Sequence, residues 1–157
     1  MEGDRSRELV KSTQPPSSRV LAIEEDINLA AVVDVPVLIT GPAAACRELA
    51  CELDRRSICP AGEVEVIDCR HQDPLTGLDE AFAGDPKILL LQEVQELSPA
   101  DQLRLTRELE EIGRPTARGR RILASSSVPL FDRVVDQLFS EHLYYRLNVI
   151  HIVIPNN

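Results

Sequence analysis

The residues best suited to chemistry lie between Gly41 and Glu48, directly after the apolar run from Val37 to Ile39. A buried strand, a tight loop and the start of a helix are the layout of a phosphate-binding loop, whose pattern is G-x-x-x-x-G-K-[ST]. Gly41 fits the first position of that pattern, and a helix is predicted after the loop. The spacing therefore predicts a phosphate loop between a strand and a helix.

Two positions of this loop depart from the pattern in ways that affect phosphate binding. Cys46 stands where the second glycine belongs, and its Cβ disfavours the positive φ that lets the backbone approach a phosphate. Arg47 stands where the lysine belongs; it keeps the charge, but its planar fork does not fit a lysine's place between phosphates. We therefore predict a degenerate phosphate loop, formed by Gly41, Ala44, Cys46, Arg47 and Glu48.

Polar residues also end three other apolar runs. Asp68 ends the second run, Gln92 and Glu93 follow the third, and Ser126 lies in the serine run after the fourth. Strands that alternate with helices predict a parallel sheet with helices on both faces. Ligands of such sheets bind at the carboxyl ends of the strands, so we expect these residues to converge there.

Hydrophobic periodicity and the positions of Ser, Pro and Gly predict the remaining elements. A polar leader is expected over residues 1–17 and a single α/β domain over residues 18–157. The predicted strands are Val35 to Thr40, Val64 to Asp68, Ile88 to Leu91, Arg121 to Ala124 and Val149 to Ile154. One helix is predicted to begin at Ser17 or Ser18 and to end at about Val33. Further helices are predicted over Arg47 to Ser57, Leu75 to Phe82 and Ser98 to Ile112, and helical turns over Leu130 to Leu147.

Composition argues against several classes of function. The chain has 157 residues and a formal net charge of -9, which argues against a nucleic-acid-binding surface spread over the whole fold and leaves a local basic patch, with Arg114, Arg118, Arg120 and Arg121 as candidates, open. No apolar run approaches the roughly 20 residues of a membrane helix, and no apolar signal segment precedes the domain, so we expect a cytoplasmic protein. Four cysteines without a C-x-x-C pair, and scattered histidines, predict reduced thiols and no metal site.

The order of these features resembles one known family. The segment from Leu138 to Val149 follows the pattern F-R-x-D-L-Y-Y-R-L-N-V, and the segment from Ile88 to Val94 is similar to L-F-L-D-E-I. Both patterns belong to the AAA+ ATPase domain of sigma-54-dependent transcription activators of the NtrC type. The resemblance covers the chain from about Arg19 to Pro155 and implies a three-layer αβα P-loop NTPase fold, here with a parallel sheet of about five strands and without the helical lid.

The resemblance also implies roles for the polar strand ends. Glu93 matches the acid that activates water, as a vestigial catalytic residue, and Gln92 replaces the aspartate of the Mg²⁺ shell. Asp68 replaces the asparagine that restrains the glutamate, and Ser126 and Ser127 replace a Thr-Asn sensor. Arg146 matches one of two arginines that reach the nucleotide of a neighbouring subunit, so it is the candidate trans-acting arginine.

Because several of these positions change together, we predict an inactive regulatory or interaction module that contacts a protein partner, as a monomer or dimer rather than a hexamer. No sigma-54 contact loop (G-A-F-T-G-A) lies between Arg70 and Lys87, and no DNA-binding helix-turn-helix is found. A sensor that binds ATP or ADP weakly, without efficient hydrolysis, is the alternative. A receiver-like signalling domain would need an aspartate after Leu91, where Gln92 stands.

Overall fold

The computed structural model describes residues 16–58, 60–76, 88–112 and 121–155 of the chain. This part contains five strands and five helices, together with a helical turn at residues 74–76. The strands are β1 (Val37–Thr40), β2 (Glu65–Asp68), β3 (Ile88–Gln92), β4 (Arg121–Ser126) and β5 (Ile150–Val153). The helices are α1 (Pro16–Val32), α2 (Ala43–Arg56), α3 (Pro99–Ile112), α4 (Leu130–Val135) and α5 (Glu141–Leu147), with a 3₁₀ turn at Val94–Glu96.

The five strands form one sheet in the order β2-β3-β4-β1-β5. Every neighbouring pair is parallel, as the alternation of strands and helices predicted. Parallel strands need crossover connections, and these place helices on both faces of the sheet. All carboxyl ends consequently meet at one edge, which also confirms the predicted fold class.

The sheet separates two apolar cores because successive side chains of a strand point to opposite faces. Ile39 packs on one face with Ala30 of α1 and Leu53 of α2. Leu38 packs on the other face, in the same cluster as Leu105 of α3 and other residues of α3, α4 and α5. Strands buried on both faces are continuously apolar, which explains the unbroken run of β3.

The order of the predicted elements is confirmed within the described residues, with shifts at their ends. The helical turns predicted from Leu130 to Leu147 form two helices, which are separated where Gln137 adopts a left-handed conformation (φ 62°). Ser140 then caps α5 by accepting a hydrogen bond from the backbone N–H of Leu143. The helix predicted from Leu75 to Phe82 shows helical residues at 74–76, and its remainder lies outside the described residues. α1 begins at Pro16, inside the predicted leader, whose residues 1–15 also lie outside the described part.

The buried side chain of Arg121 ties β4 to the end of α1. Its guanidinium donates hydrogen bonds to the backbone carbonyls of Ala30 and, at 3.2 Å, of Val35. Ala30 lies in the last turn of α1, where carbonyl groups lack partners within the helix. Burial lowers the pKa of Arg121 from its usual value, and nearby Asp34 partly opposes this effect. Arg121 therefore fixes the path of the chain between α1 and β1.

We expect Arg121→Met to lower the free energy of unfolding by roughly 3 kcal/mol, because the two carbonyl groups would lose a charged donor in a buried environment. Urea unfolding followed by circular dichroism measures this loss. Arg107→Met, on an exposed position of α3, is the matched control and should change stability by less than about 0.5 kcal/mol. Equal effects of the two substitutions would contradict the role assigned to Arg121.

Candidate functional site

The predicted phosphate loop is shorter in the structure than in the sequence interpretation. β1 ends at Thr40, and α2 begins at Ala43 instead of Arg47. Cys46 N–H donates to the carbonyl of Pro42 at 2.9 Å, which is a helical hydrogen bond. Three consecutive alanines after Pro42 favour helix, so a helical turn replaces the open loop in which a phosphate would be held. Ala44 consequently lies in the first turn of α2.

The side chain of Cys46 is a core residue. It is fully buried, and its Sγ lies 3.5 Å from the carbonyl oxygen of Gly41. Burial, reinforced by the charge of Glu93, raises the pKa of Cys46 to about 11, so the thiol stays protonated at neutral pH. Cys46 is therefore a neutral, packed side chain beneath the first turn of α2.

Gly41 is required by packing between β1 and β5. A Cβ added to Gly41 would lie 2.9 Å from the Cβ of Ile154, which is closer than carbon atoms approach without displacement. Gly41 N–H donates to the carbonyl of Ser126 at 3.0 Å, and Ile154 N–H donates to the carbonyl of Thr40 at 2.8 Å. These contacts account for this glycine without reference to a phosphate.

Arg47 and Gln92, which occupy the positions of the lysine and the Mg²⁺-shell aspartate, contact each other directly. Arg47 Nη2 donates to Gln92 Oε1 at 3.0 Å. The bond joins the start of α2 to the end of β3, and Gln92 is buried while Arg47 is exposed. Glu48, the last residue of the predicted loop, is an exposed residue of α2. Arg47 and Gln92 therefore bond to each other at the carboxyl edge of the sheet. In the family pattern, the lysine and the aspartate at these two positions would face a nucleotide.

Glu93 is buried and held by two neighbours that sequence analysis did not assign to it. Its Oε2 accepts hydrogen bonds from Gln95 Nε2 at 2.6 Å and from Ser127 Oγ at 2.8 Å. The backbone of Glu93 is left-handed (φ 59°, ψ 50°), a conformation that costs a non-glycine residue about 1–3 kcal/mol. The 3₁₀ turn after Glu93 brings Gln95 back to the carboxylate, so the only sequence signal was a polar residue two positions later.

Asp68 is paired with Arg70. Asp68 Oδ1 accepts from Arg70 Nε at 3.0 Å, and Asp68 Oδ2 accepts from Arg70 Nη2 at 2.7 Å. This bidentate pair lowers the pKa of Asp68 to about 2, mainly through the hydrogen bonds from the Arg70 side chain. Asp68 is therefore ionised at neutral pH, and its carboxylate faces Arg70.

Two further predicted site residues have local partners. Ser126 Oγ donates to the carbonyl of Val128 at 2.6 Å and so stabilises the turn after β4. Arg146 lies 3.3 Å from Glu110 of α3, and its Nε donates to His142 Nε2 at 3.1 Å. Arg146 precedes the amino end of β5 and Glu110 is near the end of α3, so this cluster lies away from the carboxyl edge.

A groove of about 690 Å³ lies beside the replaced loop, between α1, α2 and the end of β5. Its wall is mainly aliphatic, and Arg47 and Glu48 stand at the end nearest the loop. The residues that line it include Ile23, Ile27, Arg47, Glu48, Ile152 and Ile154. Within the described residues, no group of three or more His, Cys, Asp or Glu side chains is placed to hold a metal ion. No helix of that same part is long and apolar enough to cross a bilayer.

Comparison with known proteins places these observations in a family. A family model described as the sigma-54 interaction domain matches residues 16–156. The transcriptional regulatory protein ZraR of Klebsiella oxytoca is 27% identical over 166 aligned residues, which cover 88% of this chain and 38% of ZraR. The nitrogen fixation protein AnfA of Azotobacter vinelandii is 40% identical over 79 residues, or 46% of this chain and 15% of AnfA. The chain thus spans well under half the length of these relatives.

Solved structures support the same fold. NtrX from Brucella abortus in complex with ATP superposes with a TM-score of 0.70 at 21% identity, covering 97% of this chain and 42% of NtrX. The P-loop NTPase domain of the sigma-54 transport activator from E. coli gives a TM-score of 0.68 at 18% identity, covering 87% of this chain and 96% of that domain. The predicted P-loop NTPase fold of the AAA+ type is therefore confirmed.

We expect Gly41→Ala to destabilise the protein by about 1–3 kcal/mol, because the new Cβ would meet the Cβ of Ile154 in a packed core. Thermal and urea unfolding measure this cost. In an Ile154→Gly background, which removes the opposing atom, the same substitution should cost clearly less. An equal cost in both backgrounds would show that Gly41 is required for another reason.

Proposed function

We propose, from the premise that this chain belongs to the sigma-54 interaction domain family, that it is a member that does not hydrolyse nucleotide. It acts instead through contact with a protein partner in transcription regulation. Curated relatives that it matches are transcription regulators, including ZraR of Klebsiella oxytoca and NorR2 of Cupriavidus necator. The proposal concerns how this member differs from one that turns over ATP.

The observation that carries the proposal is that the polar groups at the carboxyl edge bind one another. Arg47 is bonded to Gln92, and Asp68 is bonded to Arg70. The carboxylate of Glu93 is bonded to Gln95 and Ser127. Phosphoryl transfer depends on placing a cation, a metal ion and a water-activating acid around one phosphate. In this chain, Arg47, Asp68 and Glu93 each form hydrogen bonds with neighbouring side chains instead.

The chemistry of the replacements supports the same conclusion. A neutral carboxamide at Gln92 does not supply the negative charge that a hard divalent cation prefers. The first turn of α2 uses the Cys46 N–H for a helical hydrogen bond, so this donor is not directed at a phosphate. The Cys46 thiol fills the space beneath the turn. A single back-substitution would therefore leave the other changes in place.

The intact framework supports a role in binding a partner. Both apolar cores and the five-stranded sheet are present, although the edge of the sheet has changed. The sequence between β2 and β3 lacks the sigma-54 contact loop (G-A-F-T-G-A) of the activators that this chain resembles. The proposed partner contact therefore uses another surface. We propose a monomer or dimer as the assembly, since the half-buried Arg146 is engaged by Glu110 of its own chain.

The test is ATP turnover by the full chain, measured as phosphate release with Mg²⁺ present. We expect wild-type protein and Glu93→Ala to release phosphate at the same background rate, because neither can assemble a metal-bound phosphate site. Circular dichroism must show that both proteins are folded. Turnover by the wild type that Glu93→Ala abolishes would refute the proposal.

A weak nucleotide sensor is the second candidate, and the groove beside Arg47 favours it. The exposed Arg47 keeps donors that Gln92 does not use, and the first N–H groups of α2 have no partners within the helix. An aliphatic groove of about 690 Å³ is large enough for a small ligand. A nucleotide could therefore be held by its base and one phosphate without being hydrolysed.

Calorimetric titration with ATP and ADP, with and without Mg²⁺, decides between the two candidates. If the sensor reading is correct, Gln92→Ala should tighten binding several-fold because it releases Arg47, and Arg47→Ala should weaken binding. Mg²⁺ should have little effect, because no acid holds the ion. Absence of heat with all four combinations, together with an unchanged unfolding temperature, would remove this candidate.

A further inference from the structure

Three side chains meet at one point on the surface between α3 and α5. Arg146 Nε donates a hydrogen bond to His142 Nε2 at 3.1 Å, and Arg146 Nη2 lies 3.3 Å from Glu110 Oε1. His142 Nε2 lies 3.8 Å from the same carboxylate oxygen, which is too far for a hydrogen bond. The His142 ring therefore accepts from a cation while it stands beside an anion.

The bond from Arg146 requires a neutral His142 ring. An imidazole nitrogen accepts a hydrogen bond only when it carries no proton, and both nitrogens of the charged ring are donors. A proton on Nε2 would therefore oppose the Arg146 Nε–H and could be donated to Glu110. Histidine changes its charge between about pH 5 and 8, so this exchange of partners lies within the physiological range.

Charges of both signs surround His142 on the helices that pack around it. The charged residues on the neighbouring turns, besides Arg146 and Glu110, are Arg107 and Glu111 of α3, Asp132 and Arg133 of α4, Asp136 after α4, and Glu141 of α5. Arg146 and Glu110 lie against Nε2, so a proton on that atom is repelled by one of them and attracted by the other. All three side chains are partly exposed to solvent, where ion pairs are weak, so one proton is enough to change which pair forms.

The sequence position of His142 makes the hold on Arg146 sensitive to pH. His142 stands where the pattern F-R-x-D-L-Y-Y-R-L-N-V has an aspartate, four residues before the arginine. An aspartate at that spacing on a helix pairs with an arginine throughout the neutral and mildly acidic range, because it stays ionised there. A histidine accepts from Arg146 only while its ring is neutral.

We propose that protonation of His142 releases Arg146 from its own chain. With the ring neutral, Arg146 is held between His142 and Glu110. When the ring gains a proton, Glu110 pairs with His142, and the guanidinium of Arg146 turns to solvent, where a second molecule can bind it. Mild acidification thus exposes the arginine that the sequence resemblance marks as trans-acting, and this control does not depend on whether nucleotide is hydrolysed.

Carbon-detected NMR of the full, isotope-labelled chain tests this release. We expect the Nε signal of Arg146 to move between about pH 7.5 and 5.5 toward the position of an unbonded arginine, with the same midpoint as the ring signals of His142. His142→Gln keeps an acceptor that gains no proton in this range, so its Arg146 signal should stay at the bonded position. Arg55, which pairs with Glu52 on α2, is the matched control, and its signal should not follow His142.

Glu110→Gln tests whether the carboxylate takes the His142 ring as its new partner. This variant removes the anion that favours the charged ring, so the midpoint of the Arg146 movement should fall to lower pH. Circular dichroism checks that each protein keeps its fold over the same range. The proposal is overturned by an Arg146 signal that stays constant while His142 titrates, or that moves equally in His142→Gln. An unchanged midpoint in Glu110→Gln would also overturn it, because Glu110 would then have no part in the exchange.

Discussion

The structure depends on one constraint: the strands of a parallel sheet all have their carboxyl ends at the same edge. Here the sheet is also buried on both faces. Apolar side chains fill both faces, so the strands themselves have no room for polar chemistry. Asp68, Gln92 and Ser126 each stand at the last position of a strand, so their polar side chains meet at this edge. A change of chemistry at these positions leaves the two cores, and with them the architecture, in place.

The changes at the carboxyl edge form a consistent set because each altered residue has acquired a partner. A buried carboxamide such as Gln92 or a buried carboxylate such as Glu93 would be costly at this edge without hydrogen bonds. Gln92 accepts from Arg47, and Gln95 with Ser127 donates to Glu93. The polar side chains at this edge therefore form a set of internal contacts.

Sequence analysis predicted the sheet, the order of the elements and the helix start at Ser98, whose Oγ accepts from the N–H of Asp101. These features follow from local periodicity and capping, which a single sequence displays. The start of α2 was predicted at Arg47 instead of Ala43, because the phosphate-loop pattern places a loop there. The helix propensity of the alanines after Pro42 favours the earlier start. The bonds of Ser127 and Gln95 to Glu93 could not be predicted, since they depend on how the end of β4 meets the 3₁₀ turn after β3.

The alanine turn at the start of α2 has a consequence for how the fold is sustained. A glycine-rich loop is flexible in the unfolded chain and gains order from the phosphate that it binds, so its stability rises with ligand concentration. Alanines restrict the unfolded chain and favour helix, and the packed Cys46 thiol beneath them helps to hold the turn. The order of this turn is therefore set by the amino-acid sequence alone, whereas the order of a glycine-rich loop depends in part on its bound ligand.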